Sequence, residues 1–562
     1  MSSPPPSLED LIQLPTLARL GVEVAPTGIN AQDIAISWIK NFDEAVVSNR
    51  IDSILALLLE DVLWRDLLSL TWDIRTFFAT SAVRSLLEAR LGQSRFSNIR
   101  ISTHKDKPVV LFDSVPGLLW IQAFFDFDCA AGPCTGICRI VPTKGGDWKA
   151  HTICTILEEI KRHPFLLGRY RDREPDQSKW KQRRQEESSF IDKDPRVVIV
   201  GGGQAGLNVA ARLKHLAVPY LIIEKLARIG DGWRNRYRNL SLHDPVDILH
   251  LAYLPIQFAD WLEFYAKVMD INVWTSSEVS SIQRDDNNDE WIVTVNNSSF
   301  KRTLRPKYVI LAMGFSVPKY VALTRLGHDI AQDCYETGLD ITMIQRSATC
   351  IISAKHGLRF FGGSSIDDAP TPVDIADRIA ASYPLYLGKR MHQLAIAHLK
   401  PYDQALHDGL KKAGFKANWG PEDSGFLLLA GRKVGGYYID TGASQLIVDG
   451  KIKVKGGNIR EFNEDGLIFE DESSLTADVI ILATGVRQFE GHLFDPGIAS
   501  KLLPSRAEAD GELQWVKSGL RNVYSMAGNI MMARAYSTQI ALHIKAKEEG
   551  LYTNMYEQLE EW

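Results

Sequence analysis

Residues Arg196 to Glu224 read RVVIVGGGQAGLNVAARLKHLAVPYLIIE. Arg196 to Val200 is a short β-branched run of the kind buried in a parallel sheet. Glycines follow at 201, 203 and 206, and then a helix with Leu207, Val209, Ala210 and Leu213 as its apolar residues. A second apolar strand, Tyr220 to Ile223, ends on Glu224, eighteen residues after Gly206. In a strand–glycine–helix–strand unit each glycine has its own physical task. Gly201 permits a tight turn, Gly203 lets the backbone approach a pyrophosphate, and Gly206 allows close helix–strand packing. Gln204 and Ala205 open the helix, whose first N–H groups have no intrahelical acceptor and face the phosphates. A carboxylate at Glu224 accepts hydrogen bonds from both ribose hydroxyls and repels a 2′-phosphate, so the unit suits FAD or NAD rather than NADP.

From Pro195 onward strands and helices alternate, the mark of an α/β architecture. Gly230-Asp231-Gly232-Trp233-Arg234 is followed by Tyr237 and by Leu240-Ser241-Leu242-His243. Tyr308 to Gly314 (YVILAMG) and Val479 to Gly485 (VIILATG) are two strand-plus-glycine crossovers, and Leu520 to Ile544 contains NVYSMAGN ahead of a helix. Together these segments resemble the class B flavoprotein monooxygenases, a group that includes flavin-containing monooxygenases, Baeyer–Villiger enzymes and the plant auxin-forming monooxygenases. The resemblance implies an α/β Rossmann-type two-dinucleotide-binding flavoprotein fold. It divides the chain into an FAD domain (195–317 and 478–562) and an NADP-binding-like domain (318–477). Gly201, Gly203, Gln204, Ala205, Gly206 and Glu224 would hold the adenosine diphosphate half of FAD. Gly232, Trp233, Arg234 and His243 would frame the flavin end, and Gly528 and Asn529 would approach the ring. The substrate would be a small molecule oxygenated with O₂, with electrons from NADPH and the hard chemistry carried by the flavin.

One stretch departs from that family. Its members carry a second G-x-G-x-x-G for NADPH, preceded by FxGxxxHxxx[YF], and neither is present. Between Gly314 and Gly327 lie twelve residues, FSVPKYVALTRL, without a glycine. Lys319 to Leu323 reads as the strand, but Thr324-Arg325-Leu326-Gly327 makes no phosphate cradle. A further strand, Asp340 to Gln345, leads to Arg346, where the family uses an arginine on the NADP 2′-phosphate. Each charge-assisted hydrogen bond lost from a phosphate is worth about 1.5–3 kcal/mol, so losing several weakens NADPH by orders of magnitude unless other groups replace them. Three explanations stay open: a segment lost from the gene model or by splicing, a flavoprotein that no longer uses NADPH conventionally, or an inactive relative. The alternative functions are accordingly an NADPH-independent FAD oxidase or isomerase, and a non-catalytic flavoprotein scaffold.

Residues 1–30 begin Pro- and Ser-rich and read as a flexible tail. In 31–165, Ile34, Trp38, Phe42 and Ala45 recur at helical spacing and a second helical stretch covers Ile51 to Leu59. Strands follow at Leu118–Phe127 and Trp148–Ile156, separated by glycine turns, giving an α+β unit. Trp64-Arg65-Asp66 and the later strands resemble the SnoaL-like (nuclear transport factor-like) cone domain that precedes some fungal monooxygenases. That likeness implies a secondary-metabolite substrate; in the non-catalytic scaffold reading this domain mediates homodimerisation. Arg65, Asp66 and His151 could line a pocket as acid–base groups; the reading preferred here is structural, with Asp66 and Arg65 paired. Cys129, Cys134, Cys138 and Cys154 match no familiar metal spacing and read as packing thiols. Residues 166–194 are a polar linker in which the basic run Lys179 to Arg184 reads as a solvated helix face.

The 562 residues, 45% hydrophobic and 24% charged, exclude global disorder. A net charge of −5 excludes the basic footprint of nucleic-acid binding, and six cysteines are too few for a disulfide framework. No apolar run is long enough to span a bilayer. MSSPPP lacks the features of a secretory signal, so the expected location is cytoplasmic. No Ser/His/Asp nucleophile pattern and no metal set stands out.

Overall fold

The computed structural model describes residues 8–171, 180–235, 250–252, 254–255, 259–314, 324–361, 371–432, 435–481, 493–495, 498, 520–526 and 528–552. Its organising element is a five-stranded parallel sheet in the order Val273–Trp274, Tyr220–Ile223, Val197–Val200, Tyr308–Leu311, Val523–Ser525. The chain builds outward on one side and then crosses to the other. The switch therefore falls between Val197–Val200 and Tyr308–Leu311, where a crevice opens at the carboxyl ends of the strands.

Side chains alternate between the two faces of this sheet with the period of two that an extended backbone imposes. Val197, Ile199, Tyr220, Ile222, Tyr308 and Ile310 pack under the helices Gln204–His215 and Ile530–Glu548. Val198, Val200, Leu221, Ile223, Val309 and Leu311 meet Val279, Ile282, Trp291, Val293, Val295 and Leu304. The last six belong to a three-stranded antiparallel meander, Ser277–Asp285, Glu290–Asn297 and Lys301–Leu304. Covering both faces is why these short strands are continuously apolar.

The N-terminal unit is a seven-stranded sheet ordered Ile74–Phe78, Leu58–Leu67, Trp148–Leu157, Pro133–Pro142, Leu118–Asp128, Ser97–Ile101, with Val110–Val115 also paired to Leu118–Asp128. The pairing of Leu58–Leu67 with Trp148–Leu157 is parallel and the rest are antiparallel. Helices Ala31–Val47, Ile51–Ala56 and Ala79–Ser94 bury one face through Trp38, Phe42, Leu86 and Leu87. The helix expected over 51–59 stops at Ala56, because from Leu58 the chain pairs with 148–157 and alternates between the sheet's faces. The opposite face is covered too. Leu67, Phe124, Ile137, Cys154 and Ile156 receive Ile375 and Ile379 of the helix Val373–Ala381. Trp120 and Val141 meet Met391 and Leu394 of the helix Leu385–Lys412.

The linker carries the helix Trp180–Ser189. Its basic run is not wholly solvated, since Arg184 donates to Asn272 and the Trp274 indole donates to the Ser188 carbonyl at 3.0 Å. The region 318–477 holds a parallel pair, Thr342–Gln345 with Lys453–Gly456, and a parallel trio, Ala417–Asn418, Thr349–Ser353 and Tyr437–Asp440. The strand read at Lys319–Leu323 lies outside the described residues. Residues 479–481, read as the start of the second crossover strand, form no strand, and Val479 is exposed.

Candidate dinucleotide site

The loop after Val197–Val200 is shaped by what each glycine meets. Gly201 has φ +108°, and a Cβ there would lie 2.4 Å from the Ala312 carbonyl oxygen. At Gly206 a Cβ would sit 2.0 Å from the Gly201 carbonyl oxygen. Gly203 is different: a Cβ would meet nothing within 4 Å. The two flanking positions are glycine for packing, while the middle one borders open space at the N-terminus of Gln204–His215. Gln204 and Ala205 form the first turn, with N–H groups that the helix itself does not use.

Glu224 closes the loop from the next strand. Its Oε2 accepts from the Gly202 N–H at 2.7 Å and its Oε1 from the Leu226 N–H at 2.8 Å. Each carboxylate oxygen has a second lone pair, so this geometry leaves room for ribose hydroxyls. Gly202 and Asn208 escaped the sequence reading. A Cβ on Gly202 would crowd Ile229 at 2.5 Å, and Asn208 ties the Gln204 carbonyl at 2.9 Å to the Ala252 N–H at 2.6 Å. The run of three glycines signalled the first; nothing in the sequence signalled the second.

Gly528, with φ +108°, lies at the carboxyl end of Val523–Ser525 and so on the same edge as Gly201 and Gly314. Asn529 caps the helix Ile530–Glu548, its side chain accepting from the Met532 N–H at 3.0 Å. Two helix N-termini thus start from one edge of the parallel sheet, an arrangement that favours a polyanion between them. The residues present fit an adenine dinucleotide.

Gly230 has φ +90°, and a Cβ there would lie 2.2 Å from the Ala259 carbonyl oxygen, which lets Asp231–Arg234 approach Ala259–Val268. Gly232 is exposed and Trp233 is half-buried against the core. The Arg234 guanidinium donates to Asp231 at 2.8 Å, Asp260 at 2.6 Å and Glu263 at 3.1 Å. Those carboxylates brace this turn. His243, Tyr237 and the rest of 236–249 lie outside the described residues.

Arg346 stands exposed at the carboxyl end of Thr342–Gln345, in the second region. The buried Gln345 amide clasps the backbone of Lys416 there, donating to its carbonyl at 3.0 Å and accepting from its N–H at 2.7 Å.

In the N-terminal sheet the proposed trio is not assembled. Arg65 and Asp66 are neighbours on one strand and therefore point to opposite faces. Asp66 accepts from Thr155 Oγ1 at 2.7 Å, Thr71 Oγ1 at 2.7 Å, the Thr71 N–H at 2.9 Å and the Leu70 N–H at 3.0 Å, and also from Ser69. Burial pushes its carboxyl upward, against those hydrogen bonds. Arg65 instead donates to the Ala381 carbonyl at 2.7 Å, so the expected Arg65–Asp66 pair does not form. Burial holds His151 down at about 4, only partly opposed by Asp61. The imidazole is therefore neutral at ordinary pH.

The thiols of Cys129 and Cys134 touch at 3.5 Å, whereas Cys154 faces the other side of the sheet. Among the described residues no group of His, Cys, Asp and Glu is placed to hold a metal ion, and no helix is long and apolar enough to cross a membrane. The fold does bring together Ser353, His356 and Asp403. Asp403 Oδ1 accepts from Ser353 Oγ at 2.7 Å and lies 3.0 Å from His356 Nδ1, which is itself 3.4 Å from that hydroxyl. Serine and aspartate meet the same ring nitrogen, so this is a helix-start clasp rather than a nucleophile relay.

Fold and loop together define a dinucleotide-binding α/β protein. Among its relatives is the probable indole-3-pyruvate monooxygenase YUCCA3 of Arabidopsis thaliana, 28% identical over 345 residues, covering 52% of this chain and 72% of the relative. An uncharacterized CzcO-like oxidoreductase of Geobacillus kaustophilus is 25% identical over 302 residues, covering 51% of this chain and 80% of the relative. Among solved structures, cyclohexanone monooxygenase in its loose conformation with ε-caprolactone bound aligns at TM-score 0.42 and 14% identity, over 63% of this chain and 88% of that one. OTEMO in complex with FAD and NADP aligns at TM-score 0.44 and 15% identity, over 64% and 87%. No family model matches the chain.

Proposed function

We propose that this chain is an FAD-dependent monooxygenase of the class B type, an oxidoreductase that uses NADPH and O₂ to oxygenate a small organic molecule. The observation that carries the reading is the first strand–loop–helix–strand unit. There Gly203 opens onto space, Gly201 and Gly206 are held to glycine by backbone contacts, and Glu224 is fixed on the loop by the Gly202 amide. The monooxygenase and oxidoreductase names of the sequence relatives support it. Gly201 to Gly206 would bind the pyrophosphate through backbone N–H groups, and Glu224 would orient the ribose. Gly528 and Asn529 would border the flavin, while Trp233 would close one side of its pocket. Bound FAD would supply hydride acceptance and oxygen activation; the chain's own part is to bind, orient and exclude water.

The finer parts of the proposal are that the N-terminal unit is a SnoaL-like cone domain, that the protein is cytoplasmic, and that the substrate is a fungal secondary metabolite. The helices-then-antiparallel-strands order supports the first. A homodimer would have to use another surface than the outer face of the N-terminal sheet, which Val373–Ala381 already covers.

A second reading, an FAD oxidase or isomerase independent of NADPH, is favoured by the glycine-free stretch 315–326. Purified protein checked for yellow flavin and then mixed with NADPH without oxygen separates the two. Bleaching supports the monooxygenase, and a yellow protein that NADPH leaves unchanged overturns it in favour of the second reading. Colourless protein that cannot be reconstituted with FAD overturns both.

A further inference from the structure

The helix Val373–Ala381 is nine residues long and touches two parts of the molecule. Ile375 and Ile379 enter the outer face of the N-terminal sheet. Arg378 forms a two-pronged pair with Glu158 of that sheet's last strand region, both contacts at 2.6 Å. The end of the helix is received by two buried arginines of the same sheet. Arg65 donates to the Ala381 carbonyl at 2.7 Å, and Arg139 donates to the Ser382 hydroxyl at 2.9 Å while stacking 3.6 Å over the Tyr383 ring. A helix C-terminus carries partial negative charge, so cations there add to the fit.

From this fixed helix Asp377 reaches the flavoprotein domain. Its carboxylate takes Arg534 in a fork, Nε at 2.7 Å and Nη2 at 2.6 Å, with the side chains only 12% and 5% exposed. Two parallel charge-assisted hydrogen bonds fix direction as well as distance. Arg534 lies about one and a half helical turns beyond Gly528 and Asn529, and the Ala533 N–H bonds the Asn529 carbonyl at 3.0 Å. A shift of Arg534 is therefore passed to the cap.

We propose that Asp377 is a positioning residue for the flavin edge, held in place by the N-terminal domain through Glu158, Arg65 and Arg139. The domain ahead of the flavoprotein module then serves as the rigid backing of the helix Ile530–Glu548. The inference rests on the reading that Gly528 and Asn529 meet the flavin.

The test compares the full-length protein with Asp377→Asn and Asp377→Glu. Its measurements are FAD affinity, the visible flavin spectrum, the flavin reduction potential and thermal unfolding of the apo form. Loss of one charge-assisted bond predicts a rise of about tenfold in the FAD Kd for Asp377→Asn, with a displaced spectrum and potential. Asp377→Glu keeps the charge and should recover part of each; it also serves as the variant if Asp377→Asn fails to fold. Variants that melt earlier but keep wild-type Kd, spectrum and potential overturn the inference and leave the function standing. A wild-type chain that takes up no FAD overturns the dinucleotide reading and this inference with it.

Discussion

Two α/β regions of the chain differ in the stretch that precedes the first helix of each. In the first, Val197–Val200 runs into Gly201–Gly206 and the helix Gln204–His215, and Glu224 returns from the next strand to bind the loop. In the second, the helix Thr324–Glu336 and the strand Thr342–Gln345 are present and Arg346 follows, but the stretch before the helix has no glycine. Strands and helices need only apolar faces, which many residues provide. A phosphate cradle needs backbone N–H groups brought within hydrogen-bond distance, and side chains at those positions prevent the approach. A helix and a strand can therefore be kept where the glycine spacing of a phosphate loop is not.

The largest effect is expected at Gly206. A Cβ there would sit 2.0 Å from the Gly201 carbonyl oxygen, so Gly206→Val should reduce flavin binding about a hundredfold, read from flavin absorbance per protein. Glu224→Ala comes next. It removes the acceptor of the Gly202 amide and of the ribose, and should raise the FAD Kd about tenfold to a hundredfold in a fluorescence titration.

Next comes the packing of the N-terminal unit on the helix Val373–Ala381. Burial pushes the Glu158 carboxyl up, but the charge and hydrogen bonds of Arg378 outweigh it and hold Glu158 below its usual 4.5. Its stabilisation is therefore complete above about pH 4.5 and fades as pH falls through the lower folded value. Glu158→Gln should cost about 2 kcal/mol at neutral pH, less than a fully buried pair would because both side chains keep some exposure. Denaturant melts of variant and wild type should converge on acidification. The smallest effect is expected at exposed Arg346: Arg346→Ala should change NADPH affinity by about fivefold at most, since one exposed ion pair is worth little. A much larger loss would show that the second region still grips the nucleotide through groups other than a glycine loop.

Much of this was legible before any coordinates. The spacing of Gly201, Gly203, Gly206 and Glu224 places the first unit, because turn sterics and phosphate approach depend on adjacent residues. The helix over 31–47 and the strands at 118–128 and 148–157 follow from apolar periodicity for the same reason. The partners of Arg234, Asp260 and Glu263, lie on another helix and are invisible to local pattern. Arg65 and Asp66 were wrongly paired because adjacency in sequence was taken for contact, whereas a strand turns neighbours apart.

The sequence by itself determined the first dinucleotide loop, the absence of glycine in the second, and the helical and extended character of the N-terminal unit. These are local matters of backbone freedom and apolar spacing. Only the tertiary structure decided that the N-terminal sheet is buried on both faces and that Val373–Ala381 joins it to the helix Ile530–Glu548. Glu158 and Arg378 are separated by 220 positions, and Asp377 and Arg534 by 157. Charges so far apart along a chain carry no mark of their partners until folding removes the water between them.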